Sequence, residues 1–411
     1  MRRQALSHQG IVLHHRRTWT AVSLFTFASD HFLLLPIGAS IAFVWANVAG
    51  ESYFRLSQAL AFMVNEVGMA FFFALIGQEI VEAVMPGGAL HSWRRWGLPL
   101  VGAAGGIAGA AATYLVYVAV KHETLLIQAW PVACAVDIAI SYYVLKLILP
   151  RSAILPFVLV LGIASNIVGV IVVAVRQPLV EAQAIGTIAV LLAIGLAMLL
   201  RAWRVPTFWP YLAICGTASW WAFYWMGIHP ALSFLPIVAL LPHEPRRLDL
   251  LAPPPDDDAT HHFEHEWNHL VQVVLFFFGL VNAGVAVRGY DTGTWALLTA
   301  ALVGRPLGVL LAVGVAIFLG LHRPPRVGWR HLVVAALATS SGFTFALFFA
   351  TGLLAVGPVL QEITIGAVLT SVGIGITLAV AHLLGVGRWA TRRRHHTQHH
   401  PWPHVERPPS P

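Results

Sequence analysis

Apolar runs as long as a membrane span follow one another along most of the chain. A helix needs about 20 mainly apolar residues to cross the hydrocarbon core of a bilayer. Only 10% of the residues are charged, whereas a typical soluble domain has about 25%. Because so few charges cannot cover a water-facing surface, the sequence predicts an all-α polytopic membrane protein.

The pattern predicts twelve spans joined by segments rich in Pro, Gly, Arg and His. They lie at about 31–50, 60–83, 97–119, 125–147, 153–175, 184–200, 208–225, 227–242, 269–287, 294–320, 331–354 and 360–385. Together they form one predicted transmembrane domain, 31–387. It follows an N-terminal segment, 1–30, that lacks the apolar core and cleavage site of a signal peptide.

Two segments outside the spans have distinct compositions. The connection at 243–268 contains a PPP run and an acidic cluster, which cannot sit in lipid, so we expect a solvent-exposed loop between two halves of the bundle. The tail at 388–411 is rich in His, Arg and Pro and is expected to be disordered.

The distribution of Lys and Arg predicts the orientation. If the N-terminus is cytoplasmic, that side holds 20 of the 25 basic residues, the opposite side holds four, and Arg305 remains within a span. Cytoplasmic loops carry an excess of Lys and Arg, so both termini and the long loop are expected in the cytoplasm. The net charge of +7 then faces anionic lipid, and no nucleic-acid partner is expected.

The sequence lacks the paired-cysteine, nucleotide-binding and nucleophile-elbow motifs by which many metal proteins and enzymes are recognised. Its two cysteines form neither a CxxC pair nor a disulfide framework. It has no phosphate-binding loop and no nucleophile elbow. We therefore predict no catalytic residue, no resident metal and no cofactor, with the lipid bilayer as a partner.

An aspartate in the fourth predicted span follows a candidate helix break. Pro131 precedes Asp137 by six residues, and the residues between them include Ala133, Cys134 and Ala135. Proline can open a helix, and an open helix is tolerated at membrane depth where it lines a protein cavity. Asp137 is expected to balance the positive end of the following half-helix. The alternative is a buried carboxylate that backbone amides satisfy.

Other charged groups within or near spans need a reason as well, because each costs about 2.5–3.5 kcal/mol to insert. Arg305 is followed by Pro306 and lies between apolar stretches. We expect it to face the bundle interior, with Asp137 or the carbonyl end of a broken helix as acceptor. Glu79 and Glu82 lie one turn apart at a helix end and form either an interfacial terminus or a cation funnel.

Two more spans contain polar groups in mid-length. The fifth includes "LGIASNIVGV" with Ser165 and Asn166, and the eleventh includes "ATSSGFTFAL" with Ser340, Ser341, Gly342 and Thr344. Small polar residues suit close helix packing. They suit an interrupted helix equally well, and interrupted spans in corresponding parts of two halves point to a transporter site. Spans four and eleven would be such a pair.

Six segments resemble the bacterial NhaA-type sodium/proton antiporters, in the same order along the chain. They are "MAFFFALIGQEIVE", "WPVACAVDIAISYYVLKLI", "FWPYLAICGTASWWAFYWMGIHPALSFLPIVALLP", "FFFGLVNAGVAV", "LVGRPLGVLL" and "SSGFTFALFFATGLL". The resemblance runs from the first span almost to the end. It implies inverted repeats with two broken helices that cross at mid-membrane, in a protein of the bacterial inner membrane. A homodimer is compatible with it.

The resemblance also assigns roles to single residues. Asp137 and Arg305 match a span-four aspartate and a span-ten lysine that offset the dipoles of the broken helices. His229 matches a histidine linked with the pH response. Glu264, Glu79 and Glu82 match positions of a cytoplasmic pH-sensing region.

The chain departs from the family pattern at the ion site. The family has an adjacent Asp-Asp pair in span five, followed by Leu-Gly. With that glycine placed on Gly169, Asn166 and Ile167 stand in place of the aspartates, and an ungapped count from Asp137 places Ile167 and Val168 there. Neither alignment provides a carboxylate, and the lysine that releases a proton is replaced by Arg305.

These departures leave three hypotheses. The first is a sodium/proton antiporter, serving pH and sodium homeostasis, whose coupling runs through Asp137 with neutral oxygens such as those of Asn166 and Ser165. If Asp137 is the only titratable group in the site, at most one proton would be exchanged per cycle. The second is a non-transporting sensor or partner protein with the His-rich tail as a pH or metal element. The third is transport of another monovalent cation, or of an anion attracted to Arg305.

Overall fold

The computed structural model describes residues 28, 33–84, 93–150, 152–176, 184–205, 207–242, 259–286, 290–324 and 326–387. The N-terminal segment except for one residue, most of the loop at 243–268 and the tail at 388–411 lie outside the described residues. The expectations for these segments therefore stay predictions.

Helices account for all regular structure within the described ranges. They are α1 (Leu34–Val48), α2 (Gly50–Phe62), α3 (Met69–Val84), α4 (Trp93–Lys121), α5 (Trp130–Ala133), α6 (Ile138–Ile148), α7 (Ile154–Arg176), α8 (Ala184–Ala202), α9 (Thr217–Met226), α10 (Leu235–Val238), α11 (Ala259–Asn282), α12 (Thr292–Thr299), α13 (Arg305–Phe318), α14 (Trp329–Ala338), α15 (Phe343–Leu353), α16 (Pro358–Leu369) and α17 (Val372–Leu383). Wider π turns link α2 to α3, precede α9, and link α12 to α13, at Met63–Gly68, Tyr211–Gly216 and Ala300–Gly304. Short 3₁₀ turns lie at Thr124–Ala129 and Pro230–Leu232.

Six of the described helical stretches are long and apolar enough to cross a membrane, and the number rises to eight if each of two bent helix pairs is one span. The stretches are Gly50–Gln78, Trp96–Lys121, Ile154–Ala174, Ile185–Ala202, Thr292–Phe318 and Pro358–Leu383. This supports a polytopic membrane protein. The count of twelve is not tested and stays a prediction.

The two bent pairs lie in the predicted fourth and eleventh spans. Thr124–Ala133 is bent by 48° against Ile138–Ile148, and Trp329–Ala338 by 42° against Phe343–Leu353. The eighth predicted span differs from a continuous helix. It consists of the Pro230–Leu232 turn and α10, each with a proline in its first turn, where the missing donor costs little.

Glycines bring α4 and α13 into backbone contact. A Cβ on Gly105 would collide with the carbonyl of Gly308, and one on Gly109 with the carbonyl of Gly304. Small residues allow such close approach of membrane helices. Because Gly304 immediately precedes Arg305, this packing fixes where the arginine enters the core.

Candidate functional site

The two helix breaks meet backbone to backbone. The N–H of Asp137 donates to the carbonyl of Ser341 over 2.8 Å. Gly342 packs so closely that a Cβ would lie 2.7 Å from the Ala135 oxygen. The absence of a side chain at Gly342 therefore permits the crossing of the unwound segments between α5 and α6 and between α14 and α15.

Asp137 caps two helices with one carboxylate. Its Oδ1 accepts from the N–H of Ile140 in α6 over 3.0 Å. Its Oδ2 accepts from the N–H of Thr344 in α15 over 3.1 Å and from the hydroxyl of the same residue. The side chain is buried. A negative charge is favourable at a helix N-terminus, so this carboxylate stabilises both half-helices at once.

Arg305 lies at the opposite kind of helix end. It is fully buried, and its Nη2 donates to the carbonyl of Ala133, the last residue of α5, over 2.9 Å. A cation is favourable there because the free carbonyls are negative. The sequence left Asp137 and a carbonyl end open as acceptors, and the structure shows the carbonyl. Its Nε and Nη1 have no hydrogen-bond partner among the described residues.

Asn166 bonds to the unwound segment of the fourth span, between α5 and α6. Its Oδ1 accepts from the N–H of Val136 over 3.0 Å, and its Nδ2 donates to the carbonyl of Val136 over 2.7 Å. It is 3% exposed. Its neighbour Ile167 is 37% exposed and does not share this position. Ser165 is buried, and its hydroxyl has no hydrogen-bond partner within the described part of the chain.

The model of the family described as Na+/H+ antiporter 1 matches residues 25–383. The chain belongs to this family. It is 34% identical over 376 residues to the Na(+)/H(+) antiporter NhaA of Geotalea uraniireducens, which covers 88% of this chain and 96% of the relative.

Two further relatives of this antiporter family member are also Na(+)/H(+) antiporter NhaA proteins. The protein of Desulfitobacterium hafniense (strain DSM 10664 / DCB-2) is 34% identical over 374 residues, with 88% of this chain and 96% of the relative covered. That of Geobacter metallireducens is 33% identical over 367 residues, with 86% and 96% covered. Family membership and the apolar helices together make this chain a multi-pass cell membrane protein.

Pro131 does not form the helix break in this family member, although the sequence suggested that it would. It lies at the start of α5, where proline is tolerated. The break comes after Ala133 and before Ile138. No proline opens the helix there. Instead, Asn166 and Ser341 bind the backbone groups that a continuous helix would pair internally.

The polar residues of the second break differ in what they contact. Ser340 donates to the carbonyl of Leu337 over 2.6 Å, whereas the hydroxyl of buried Ser341 has no hydrogen-bond partner in the described ranges. The N–H of Gly342 donates to the hydroxyl oxygen of Thr370 over 3.2 Å. Thr344 alone in this group reaches Asp137 by its side chain.

A carboxylate that sequence reasoning missed lies beside His229. Nδ1 of His229 is 3.1 Å from Oε2 of Glu66, and the N–H of Ala231 donates to the same nitrogen over 3.3 Å. One nitrogen cannot accept from Ala231 and donate to Glu66 at once. The two contacts therefore exclude each other as hydrogen bonds at this nitrogen. The signal was a lone glutamate in the apolar run "AFMVNEVGMAFFF".

The His229 ring packs against α15, the helix that begins at the crossing. Its centroid is 5.0 Å from that of Phe348, and a Cβ on Gly352 would lie 3.5 Å from its Cδ2. Glu79 and Glu82 belong to α3 and Glu264 to α11. The side chains of these three glutamates lie outside the described residues, so their part in a pH response stays a prediction.

Proposed function

We propose that this chain exchanges sodium ions for protons across the cell membrane, with Asp137 as the group that holds either ion. Membership of the Na+/H+ antiporter 1 family supports the activity. A carboxylate is suited to it because protonation removes the charge that attracts the cation. The relatives named above are all antiporters, so a non-transporting sensor is not favoured.

The observation that carries this proposal is the position of Asp137 between the N-termini of α6 and α15. Protonation of the carboxylate removes the charge that stabilises both helix ends. A bound sodium ion, by contrast, leaves the carboxylate ionised, so its oxygens keep their negative charge. The proton-loaded and sodium-loaded states therefore differ in how strongly the two half-helices are held together, which is what a transporter needs to couple an ion to a movement.

We further propose the architecture that the family resemblance implies. Twelve spans form two inverted repeats, both termini lie in the cytoplasm, and the two breaks cross at mid-membrane. The two bent helix pairs and the hydrogen bond between Asp137 and Ser341 support this arrangement. The excess of Lys and Arg on one side supports the orientation.

Replacing Asp137 with asparagine tests the proposal. Asp137→Asn keeps an acceptor oxygen for the helix caps but removes the group that titrates. We expect sodium-driven proton movement in proteoliposomes to be abolished, together with movement driven by Li+ or K+ if the wild type shows either. The control is Asp291→Asn, because Asp291 also caps a helix, α12, at an exposed end of the bundle.

The same vesicles test the coupling. If Asp137 is the exchanging group and carries one proton against one sodium ion, no net charge moves, and the initial rate should not respond to an imposed membrane potential. Unchanged exchange in Asp137→Asn would overturn the assignment of this residue. A rate that follows the potential would overturn the coupling ratio while leaving the activity in place.

A further inference from the structure

The contact between Asn166 and Val136 joins a continuous helix to an opened one. Val136 lies in the unwound segment, and both of its main-chain polar groups are bonded to this one amide. The surroundings are buried, with Val136 at 0% and Asn166 at 3% exposure. A buried backbone group left unpaired costs about 1–3 kcal/mol. Asn166 therefore stabilises the unwound segment at Val136 by pairing both of its main-chain polar groups.

The pairing requires a donor and an acceptor side by side. The N–H of Val136 can only donate and its carbonyl can only accept, so the side chain must offer one of each. An amide does this at every pH. A carboxylic acid does it only while protonated, through its O–H and its C=O, and an ionised carboxylate has no donor at all.

We propose that Asn166 is a positioning residue that holds α7 to the unwound segment at every pH. A carboxylic acid at this position would do so only while protonated, and an ionised carboxylate would not. The segment next to Asp137 is then fixed in the same place whether Asp137 holds a proton or a sodium ion. The transport consequence rests on the proposed function. The structural consequence, a pH-independent attachment of α7, does not.

The charged and titratable groups around this contact are few in the described structure. Asp137 and Cys134 lie within two residues of Val136 in the unwound segment, and Arg305 of α13 donates to Ala133, the residue just before that segment. From the other side α15 packs on α7 through Phe349 and Gly169, and α15 contains no charged residue. Arg305 has two unpaired guanidinium nitrogens, so the test below must be able to detect its pairing with a carboxylate placed at position 166.

The test is thermal unfolding of the purified full-length protein from acidic to alkaline pH, in three forms. In Asn166→Asp the acid form reproduces both bonds, so the melting temperature should equal that of the wild type at acidic pH. It should then fall increasingly below the wild type as the pH rises. In Asn166→Ala both bonds are absent at every pH, so the deficit should be constant.

Asn65→Asp is the matched control. Asn65 also makes a reciprocal amide pair, but its partner is the side chain of Asn282, over 2.7 and 3.1 Å. That side chain can rotate to present its N–H groups to a carboxylate, whereas the backbone of Val136 cannot. The pH-dependent deficit of Asn65→Asp should therefore be clearly smaller than that of Asn166→Asp.

Proteoliposome exchange provides the second readout. The ratio of the Asn166→Asp rate to the wild-type rate should fall several-fold from acidic to alkaline pH, while the ratio for Asn166→Ala stays flat. If Asn166→Asp cannot be isolated at neutral pH, its recovery at acidic pH is itself the expected result. Failure at both pH values, with Asn166→Ala folded, overturns the proposal.

Two other outcomes overturn it. One is a deficit of Asn166→Asp that does not change with pH. The other is a gain in stability at alkaline pH, which would show that Arg305 pairs with the new carboxylate. None of these melting experiments depends on transport, so a failure of Asp137 as the exchanging group would leave this proposal standing, and the reverse also holds.

Discussion

The two helix breaks have the same backbone form but are stabilised by different chemistry. In the first, Asp137 and Arg305 bind the free helix ends, and the amide of Asn166 binds the unwound segment. In the second, hydroxyl groups bind the carbonyls, as Ser340 does at Leu337 and Ser141 does at Ala338. The charged groups of the crossing thus sit on or against the first break, and the second receives its charge from Asp137.

This difference indicates which groups of the crossing matter for exchange and which matter only for stability. Hydrogen bonds to charged groups are stronger than those between neutral groups, about 1.5–3 kcal/mol against about 0.5–1.5. Substitutions that remove a charged partner of the first break should therefore affect both stability and exchange. Substitution of a hydroxyl of the second break that bonds only to a carbonyl, such as that of Ser340, should affect stability slightly and exchange hardly at all.

Arg305→Met should have the largest effect on stability. It keeps an unbranched side chain but leaves the carbonyl end of α5 without its donor. We expect a loss of about 3 kcal/mol in the free energy of unfolding and a strong loss of exchange. Arg305→Lys keeps the charge and an N–H donor group, so thermal unfolding should place it closer to the wild type. Equal losses in the two variants would show that the charge at this helix end is unimportant.

Gly342→Ala tests the close approach of the breaks. The new Cβ would collide with the carbonyl of Ala135, and overpacking of this kind costs about 1–3 kcal/mol. Because Ser341 binds Asp137 directly, exchange should fall as well. Gly375→Ala is the control, since a Cβ there meets nothing within 4 Å. Similar melting temperatures for the two variants would contradict the crossing geometry.

Thr344→Val removes the hydroxyl donor to Asp137 but keeps the backbone N–H. We expect about 1.5 kcal/mol of destabilisation, together with a changed KM for sodium because the hydroxyl bonds to the proposed ion-binding oxygen. Thr344→Ser should restore both values. A change in melting temperature without a change in KM would assign Thr344 a purely structural role.

Ser340→Ala should have the smallest effect. Its hydroxyl bonds only to the carbonyl three residues earlier, so its loss costs about 1 kcal/mol or less. KM and the maximal rate of exchange should equal those of the wild type in the same vesicles. A large loss of exchange would erase the proposed difference between the two breaks.

Much of the architecture could be predicted because it depends on local composition. Span-length apolar runs predict membrane helices wherever they occur. Asp137 and Arg305 were predictable as special because ionisable groups in lipid need partners. Glycine and serine in mid-span likewise indicated the second break. Glu66 could have been found by the same argument, since it is also a carboxylate in an apolar run.

Partners were harder to predict than special residues. The acceptor of Arg305 lies 172 residues away along the chain, and that of Asn166 lies 30 away. No local pattern encodes such pairings. The assignment of the first break to Pro131 was wrong for the same reason, because groups from α7 and the second break, not the proline, bind the opened backbone.

The sequence by itself determined a multi-pass membrane protein, and it marked Asp137 and Arg305 as charges that need partners, because solvation in lipid depends on which residues occupy each span. Only the tertiary structure decided that Asp137 caps two helices, that Arg305 binds the carbonyl end of a helix, and that Asn166 binds the backbone of the unwound segment. Each of these is a hydrogen bond between distant segments, and a hydrogen bond forms only when packing brings donor and acceptor to about 3 Å.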